Sequence, residues 1–303
     1  MNRMQRRSQL KELLRNEQIA KFYDEMQISL REGHIIGNVL NMPEVVRDRI
    51  KDLMGLYSGF YDEVQVVPIG VDGRVCVSVG EAIAKWNDVK ASLEELNSSI
   101  DLLEMEDIKV GGYLPVSNGV LEDSVIETAM YIEELLAKAM GYAIDNGILN
   151  GVGDTTGDGP LIYEPVGILK NLPEDNVVTI EFTAPKILSS IGLIDKGKKE
   201  DIGEVVAVMK RQTYYQDILP ITTNVLPYPN INGIRVKYSA AVEDNEIILG
   251  DLKEYILSER SGIRINMSEH QRFLEDQTIF RVVGRYDGKP HNNKSFVRLI
   301  KQV

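Results

Sequence analysis

The stretch SVIETAMYIEELLAKAMGYAIDNG, residues 124–147, decides the architecture. Val125, Ala129, Ile132, Leu136, Ala139 and Ala143 repeat on one helical face, Ser124 and Glu127 stand at capping-box spacing, and Asn146-Gly147 ends the run. At ~1.5 Å per residue this predicts a helix about 35 Å long, which is long for a globular domain. Its apolar stripe must be buried against other elements, so the flanking segments should supply them.

Toward the N-terminus, Ile100 to Val116 reads as extended chain. Before it, Val64 and Val66 and then Val75, Val77 and Val79 alternate around Gly70-Val-Asp-Gly73, a hairpin signal. The polar segment between Gly80 and Ser99, with Trp86 alone among Lys85, Asn87, Asp88 and Lys90, forms the tip between two strand-like arms. Such a two-stranded protrusion is marginal in water and needs a neighbour to lie on. Further upstream, Pro43 to Gly55 and residues 3–32 carry helical spacing, the latter closed by Gly33.

Toward the C-terminus, residues 184–260 predict a second α+β unit inserted into the first, with a helix at Glu204 to Gln212 and strands at Gly233 to Tyr238 and Glu246 to Leu249. Thr278 to Val283 and Ser295 to Ile300, around Tyr286-Asp-Gly288, predict a terminal hairpin.

The chain has 303 residues, 43% apolar and 26% charged, within the range of folded globular proteins. The longest uncharged stretch, Ile218 to Ile234, holds three prolines and three asparagines, so no segment reads as a membrane span. The net charge of −12 excludes a protein that coats nucleic acid with its whole surface. Residues 1–15 run against that trend: Arg3, Arg6, Arg7, Lys11 and Arg15 face only Glu12, a local +4 on a remainder of −16. Cys76 is the single cysteine, which excludes an intrachain disulfide and fits synthesis in a reducing compartment.

No pattern supports catalysis or a cofactor. The glycine-rich run from Gly151 to Gly159 follows a helix and lacks both the dinucleotide spacing and a phosphate-loop Gly-Lys-Ser/Thr, so it reads as a surface turn. Asp154 and Asp158 are too few for a calcium loop, and His-x-x-x-His, Cys-x-x-Cys and Gly-x-Ser-x-Gly motifs are absent. The acidic clusters Glu94-Glu95, Glu104-Glu106-Asp107 and Glu133-Glu134 read as solvated surface. A soluble enzyme is disfavoured for want of any catalytic constellation.

Three blocks carry a resemblance. Leu114-Pro-Val-Ser117 with Leu121-Glu-Asp-Ser124, the helix ending in Ile148-Leu-Asn-Gly151, and Glu164-Pro-Val-Gly-Ile-Leu169 resemble the major capsid proteins of tailed bacteriophages with the HK97 fold. Ile247-Ile-Leu-Gly-Asp251, Tyr255, Ser261-Gly262, Phe273, Asp276-Gln277, Arg285-Tyr-Asp-Gly288 and Phe296 agree with it in the same order, and the likeness covers roughly residues 35–303. It implies an α+β fold with an N-terminal arm at 1–62, an extended E-loop at 63–112 and a peripheral domain with the spine helix at 113–182. An axial domain at 183–267 and a return to the peripheral domain at 268–303 complete it. The implied function is structural: self-assembly into pentamers and hexamers of an icosahedral head around double-stranded DNA, with portal and scaffolding proteins as partners and no cofactor, metal or membrane.

Within that frame Trp86, Lys85 and Lys90 are expected at intersubunit contacts of the E-loop tip, and the basic head on the inner face of the shell. Some members carry a long N-terminal scaffolding region; here about forty residues precede the first block, so either a separate scaffolding protein is expected or this short helix takes part of that role. Some members crosslink an E-loop lysine to a neighbour's asparagine, for which Lys85 or Lys90 and Asn292 or Asn293 are the residues at hand. The alternative on the same fold is an encapsulin-type compartment around a cargo enzyme; the long E-loop favours the virus.

Overall fold

The computed structural model describes Lys21 and residues 44–70, 73–79, 99–123, 125–153, 163–195, 204–222 and 228–302. The chain divides into two units, Met1–Tyr61 with Lys109–Ile144 and Ser261–Arg285, and Asp62–Ile108 with Asp145–Arg260 and Tyr286–Val303.

In the first unit the helix Glu44–Tyr57 buries Val46, Ile50 and Met54, one residue per turn. Ser58 stops it, its hydroxyl accepting from the backbone N–H groups of Phe60 and Tyr61 at 3.2 and 2.8 Å. The long helix spans Val125–Asn150 and buries Ile132, Leu136, Met140 and Ile144 within this unit; Ile132 and Leu136 belong to the predicted stripe, but Ala139 is exposed and Ala143 only half-buried, because the buried face continues through Met140 and Ile144 at steps of four residues. Arg49 and Glu133 join the two helices through a 2.9 Å ion pair with both side chains largely buried. Alongside, Lys109–Ser117 (β4) pairs antiparallel with the first nine residues of Gln277–Pro290 (β11), Ser117 opposite Gln277 and Lys109 opposite Arg285. Thr278, Phe280 and Val282 bury one face of β11, while Arg281 and Arg285 stand exposed on the other. At the turn before β11, Asp276 adopts left-handed φ of 54°, its carboxylate accepting from the Asn118 amide at 2.8 Å. Asn118 in turn accepts from the Thr278 hydroxyl at 2.7 Å, which fixes the end of the pair.

The second unit is built on a six-stranded mixed sheet. Its order is Val177–Ile180 (β5), Phe296–Lys301 (β12), Glu246–Gly250 (β9), Val206–Met209 (β6), Ile234–Tyr238 (β8) and Asn230–Ile231 (β7). The two central strands, β9 and β6, are buried at every residue, and Ala207, Met209, Ile247, Leu249, Val297 and Leu299 join one apolar cluster with Ile187 and Ile218. That all-round burial explains why Glu204 to Gln212 is not a helix. Its run of β-branched residues fills the middle of a sheet, and only Arg211–Thr213 turns helical.

Two predicted hairpins are paired otherwise. Gln65–Pro68 (β1) does not turn back onto Arg74–Val79 (β2); it runs parallel to Ile256–Glu259, in the first part of Tyr255–Arg272 (β10). β2 pairs instead with Ser99–Glu104 (β3), and the extended stretch after it breaks at residues 105–108, where Met105 and Ile108 are buried. Alternation fixes which faces are apolar, not which strand lies alongside. The terminal hairpin is absent for a different reason: β11 runs straight through Tyr286-Asp-Gly288, and β12 joins β9 and β5. Asp-Gly is a turn signal only where water can reach it. Here the Tyr255 ring packs so closely on Gly288 that a Cβ would lie 2.5 Å from its hydroxyl oxygen, and Asp287 is buried with its hydrogen bonds met.

Candidate assembly surfaces

Among the described side chains of the β2–β3 ribbon, only Val75 is buried. Arg74 lies opposite Glu104 and Val79 opposite Ser99. Leu102 is 53% exposed, opposite the exposed Cys76, and the Arg74–Glu104 pair is open to water at 3.6 Å. A small cluster of Ile69, Val75, Met105 and Ile256 closes only the base.

That base is fastened by polar contacts. One Asp287 carboxylate oxygen accepts from the Glu106 N–H and the other from the Gly288 N–H, both at 2.7 Å. Lys289 donates to the Glu104 carbonyl at 2.8 Å, Tyr286 N–H to the Ile108 carbonyl at 3.0 Å, and Arg260 pairs with Asp107 at 3.4 Å. Burial pushes the Asp287 carboxyl up from the usual range, and the two N–H donors and Lys289 oppose that rise. At the start of this unit, Glu63 receives both terminal nitrogens of Arg235, at 2.9 and 2.5 Å, and the Lys237 ammonium at 2.9 Å. A largely buried carboxylate paired in fork geometry ties the chain entering β1 to strand β8.

The first unit presents apolar groups to solvent. Tyr131, Leu135 and Tyr142 form an exposed stripe on the long helix, and Phe273 and Leu274 at the β10–β11 turn are 77% and 95% exposed. Single exposed apolar residues are ordinary, but two adjacent ones at a turn tip suit a surface that another chain covers. Among the described residues no group of His, Cys, Asp or Glu is placed to hold a metal ion, and no helix is long and apolar enough to cross a membrane.

The residues singled out in the sequence do not meet in one described site. Trp86, Lys85 and Lys90, the basic head (Arg3, Arg6, Arg7, Lys11, Arg15) and the capping Ser124 lie outside the described residues. Asn292 is engaged in its own turn, accepting from the Lys294 N–H at 3.0 Å and donating to the Asp195 carbonyl at 2.9 Å, and Asn293 follows in the same turn. The sequence reading missed Asp287 because its Asp-Gly pair resembles a turn. Its cue was the flanking alternation of Phe280, Val282, Gly284 and Tyr286, which continues strand periodicity into the pair.

A two-stranded ribbon fastened at its base and one very long helix are elements expected of a shell subunit. The family model of the phage capsid family matches residues 37–300. The chain belongs to the phage capsid family. Similar solved structures include the capsid of an empty GTA particle, at TM-score 0.60 and 14% identity, covering 82% of this chain and 90% of that one. Others are a chain from Mycobacterium phage Adephagia (0.58, 13%, 81% and 90%) and one from the satellite phage P4 procapsid including its size determination (Sid) protein (0.58, 13%, 84% and 99%). No curated protein matches the sequence. The fold is thus the α+β, HK97-like capsid fold, and the chain is a structural protein, a major capsid protein of a phage head, with its place in the virion capsid.

Proposed function

We propose that this capsid protein assembles into pentamers and hexamers of an icosahedral head enclosing double-stranded DNA, and that the ribbon is the element by which one subunit holds the next. The observation that carries this reading is the contrast at β2–β3: a base fixed by Asp287, Lys289 and Arg260, and a ribbon with an exposed Leu102. A strand pair of that kind does not repay the entropy of ordering it until a neighbouring surface covers it.

In this reading residues 1–62 are the N-terminal arm, 63–112 the E-loop, 113–182 and 268–303 the peripheral domain, and 183–267 the axial domain. Trp86, Lys85 and Lys90 make intersubunit contacts at the E-loop tip, since a tryptophan among polar neighbours finds its apolar cover at an interface. Arg3, Arg6, Arg7, Lys11 and Arg15 face the interior, where a cationic arm on an acidic wall contacts packaged DNA or an acidic scaffolding protein. The portal is a further partner, synthesis takes place in the host cytoplasm, and the chain carries no catalytic role.

Electron microscopy of the purified protein with absorbance at 260 nm tests the proposal. Empty or DNA-filled icosahedral shells with pentameric and hexameric units are expected. Shells filled with a protein cargo, or no shells under any assembly condition, would overturn it.

A further inference from the structure

Glu164-Pro-Val-Gly-Ile-Leu169, Tyr255 and Tyr286-Asp-Gly288 lie in separate stretches of the sequence, yet they converge in the second unit at the root of the ribbon. Tyr255 is fully buried, and its hydroxyl donates to the Val166 carbonyl at 3.1 Å. The Val166 N–H donates to the Gly288 carbonyl at 2.8 Å, and the Gly288 N–H to one Asp287 carboxylate oxygen at 2.7 Å. The other carboxylate oxygen accepts from the Glu106 N–H, also at 2.7 Å. On the opposite side Val166 is tied to the end of the long helix. It forms a β-bridge with Val152, and the N–H groups of Gly167, Ile168 and Leu169 donate to the carbonyls of Gly151, Ile148 and Leu149 at 2.8, 2.8 and 3.0 Å. Little room is left for these parts to slide. A Cβ at Gly288 would lie 2.5 Å from the Tyr255 hydroxyl oxygen, and one at Gly167 would lie 2.5 Å from the Gly151 nitrogen. The buried Ser258 hydroxyl donates to the Asp287 carbonyl at 3.1 Å and braces the same point.

Tyr255, Asp287 and Gly288 are buried, so breaking one bond in this line leaves a polar group unpaired away from water, at more cost than the bond itself contributes. Consecutive hydrogen bonds also polarise one another, which makes the line stronger closed than its parts. A phenylalanine would fill the space of Tyr255 without bringing a hydroxyl that must be satisfied, so what the hydroxyl adds is its bond to Val166. We infer that the line from Tyr255 through Val166, Gly288 and Asp287 to Glu106 couples the end of the long helix to the root of the ribbon, so that the two open and close together. Tyr255 is then a positioning residue for the ribbon, acting through Val166 and Gly288. In the shell-forming function proposed above, on which this role rests, the coupling fixes where the strand Ser99–Glu104 ends and the chain re-enters the subunit before any neighbour is met.

Amide hydrogen exchange in the unassembled full-length subunit tests the coupling. Tyr255→Phe keeps the ring and removes one hydroxyl. Exchange at Glu106, at the other end of the line, should quicken at least about tenfold, while Val208 and Ile248 in the six-stranded sheet stay within about twofold of wild type. Asp287→Ala reads the line from its opposite end and should quicken exchange at Val166 by a similar factor; it decides the matter alone if Tyr255→Phe does not fold. In the double variant the quickening at Glu106 should fall well short of the product of the two single effects, because a line already broken has little left to lose. Tyr255→Phe that quickens Val166 but not Glu106, or Asp287→Ala that leaves Val166 unchanged, would overturn the inference. Quickening that extends to Val208 and Ile248 would overturn it as well, making Tyr255 a core residue alone. Shell yield should fall with Tyr255→Phe, and wild-type yield would remove its role in placing the ribbon. Wild-type chains that form no shell would defeat the capsid reading and that role with it, while the exchange rates still decide the coupling.

Discussion

The β2–β3 ribbon and the six-stranded sheet are made of similar residues, alternating and β-branched, yet they close differently. In the sheet, β9 and β6 are covered on both faces and bridged at the rim by Arg298 with Glu246 and Lys301 with Asp217. In the ribbon, Val75 is buried at the base while Cys76 and Leu102 face water. Strand propensity therefore sets local conformation in both, and the supply of covering surface decides whether the strands also carry stability. The sheet has its cover within the subunit; the ribbon, in the function proposed above, finds it in another copy.

The sharpest way to break this contrast is a pair of truncations. Leu249, fully buried between β12 and β6, should cost about 2–5 kcal/mol when replaced by alanine, read as a lowered urea midpoint of the isolated subunit. Leu102→Ala should leave that midpoint nearly unchanged and lower the melting temperature of shells. Equal losses in the isolated subunit would mean that the ribbon already has a core.

Hydrogen exchange gives a finer view of the same difference. Residues 74–79 and 99–104 should exchange rapidly in isolated subunits and slowly in shells, whereas residues 206–209 and 246–250 should be protected in both. Protection of the ribbon in free subunits would remove the need for a neighbour.

Legibility in the sequence follows the same division. The long helix was legible because apolar residues recur at helical spacing, though the buried face runs through Met140 and Ile144 and not through the predicted Ala139 and Ala143. Its end is placed early by the Asn146-Gly147 stop signal and correctly by the family resemblance: the helix continues to Asn150, and Gly147 lies where a Cβ would come within 3.3 Å of the Pro165 ring. The true end is Gly151, where a Cβ would lie 2.2 Å from the Pro165 carbonyl oxygen. Strands β8 and β9 were legible from short apolar runs, while the partners of β1, β11 and β12 were not, because pairing is settled by contacts 46 to 191 residues apart that leave no local mark.

The ribbon's base offers a smaller, pH-dependent effect. With its carboxyl pushed up by burial, Asp287 in the folded chain binds its proton more tightly than in the unfolded chain. Linkage then makes its contribution to stability fall as pH rises from the ordinary carboxylate range through the raised value, and recover on acidification. Asp287→Asn removes that titration. The stability difference, wild type minus variant, should therefore shrink as pH rises from about 4 toward neutrality, measured by chemical denaturation at each pH. A difference that grows over the same interval would mean that the two N–H donors and Lys289 outweigh burial.

The smallest effect expected is at Glu104. Its side chain faces Arg74 across the ribbon at 3.6 Å, with 55% and 78% of the two side chains exposed, so water and salt screen the pair and it contributes about 0–1 kcal/mol at most. What holds this residue is its backbone carbonyl, which accepts from Lys289 whatever the side chain. Glu104→Gln should thus shift the subunit's urea midpoint hardly at all, while Lys289→Met, which leaves that carbonyl without its donor, should loosen the ribbon's base and speed exchange at Met105 and Glu106. If Glu104→Gln proved the more damaging of the two, the ribbon would be held along its length by its own side chains, and the contrast with the six-stranded sheet would be one of degree.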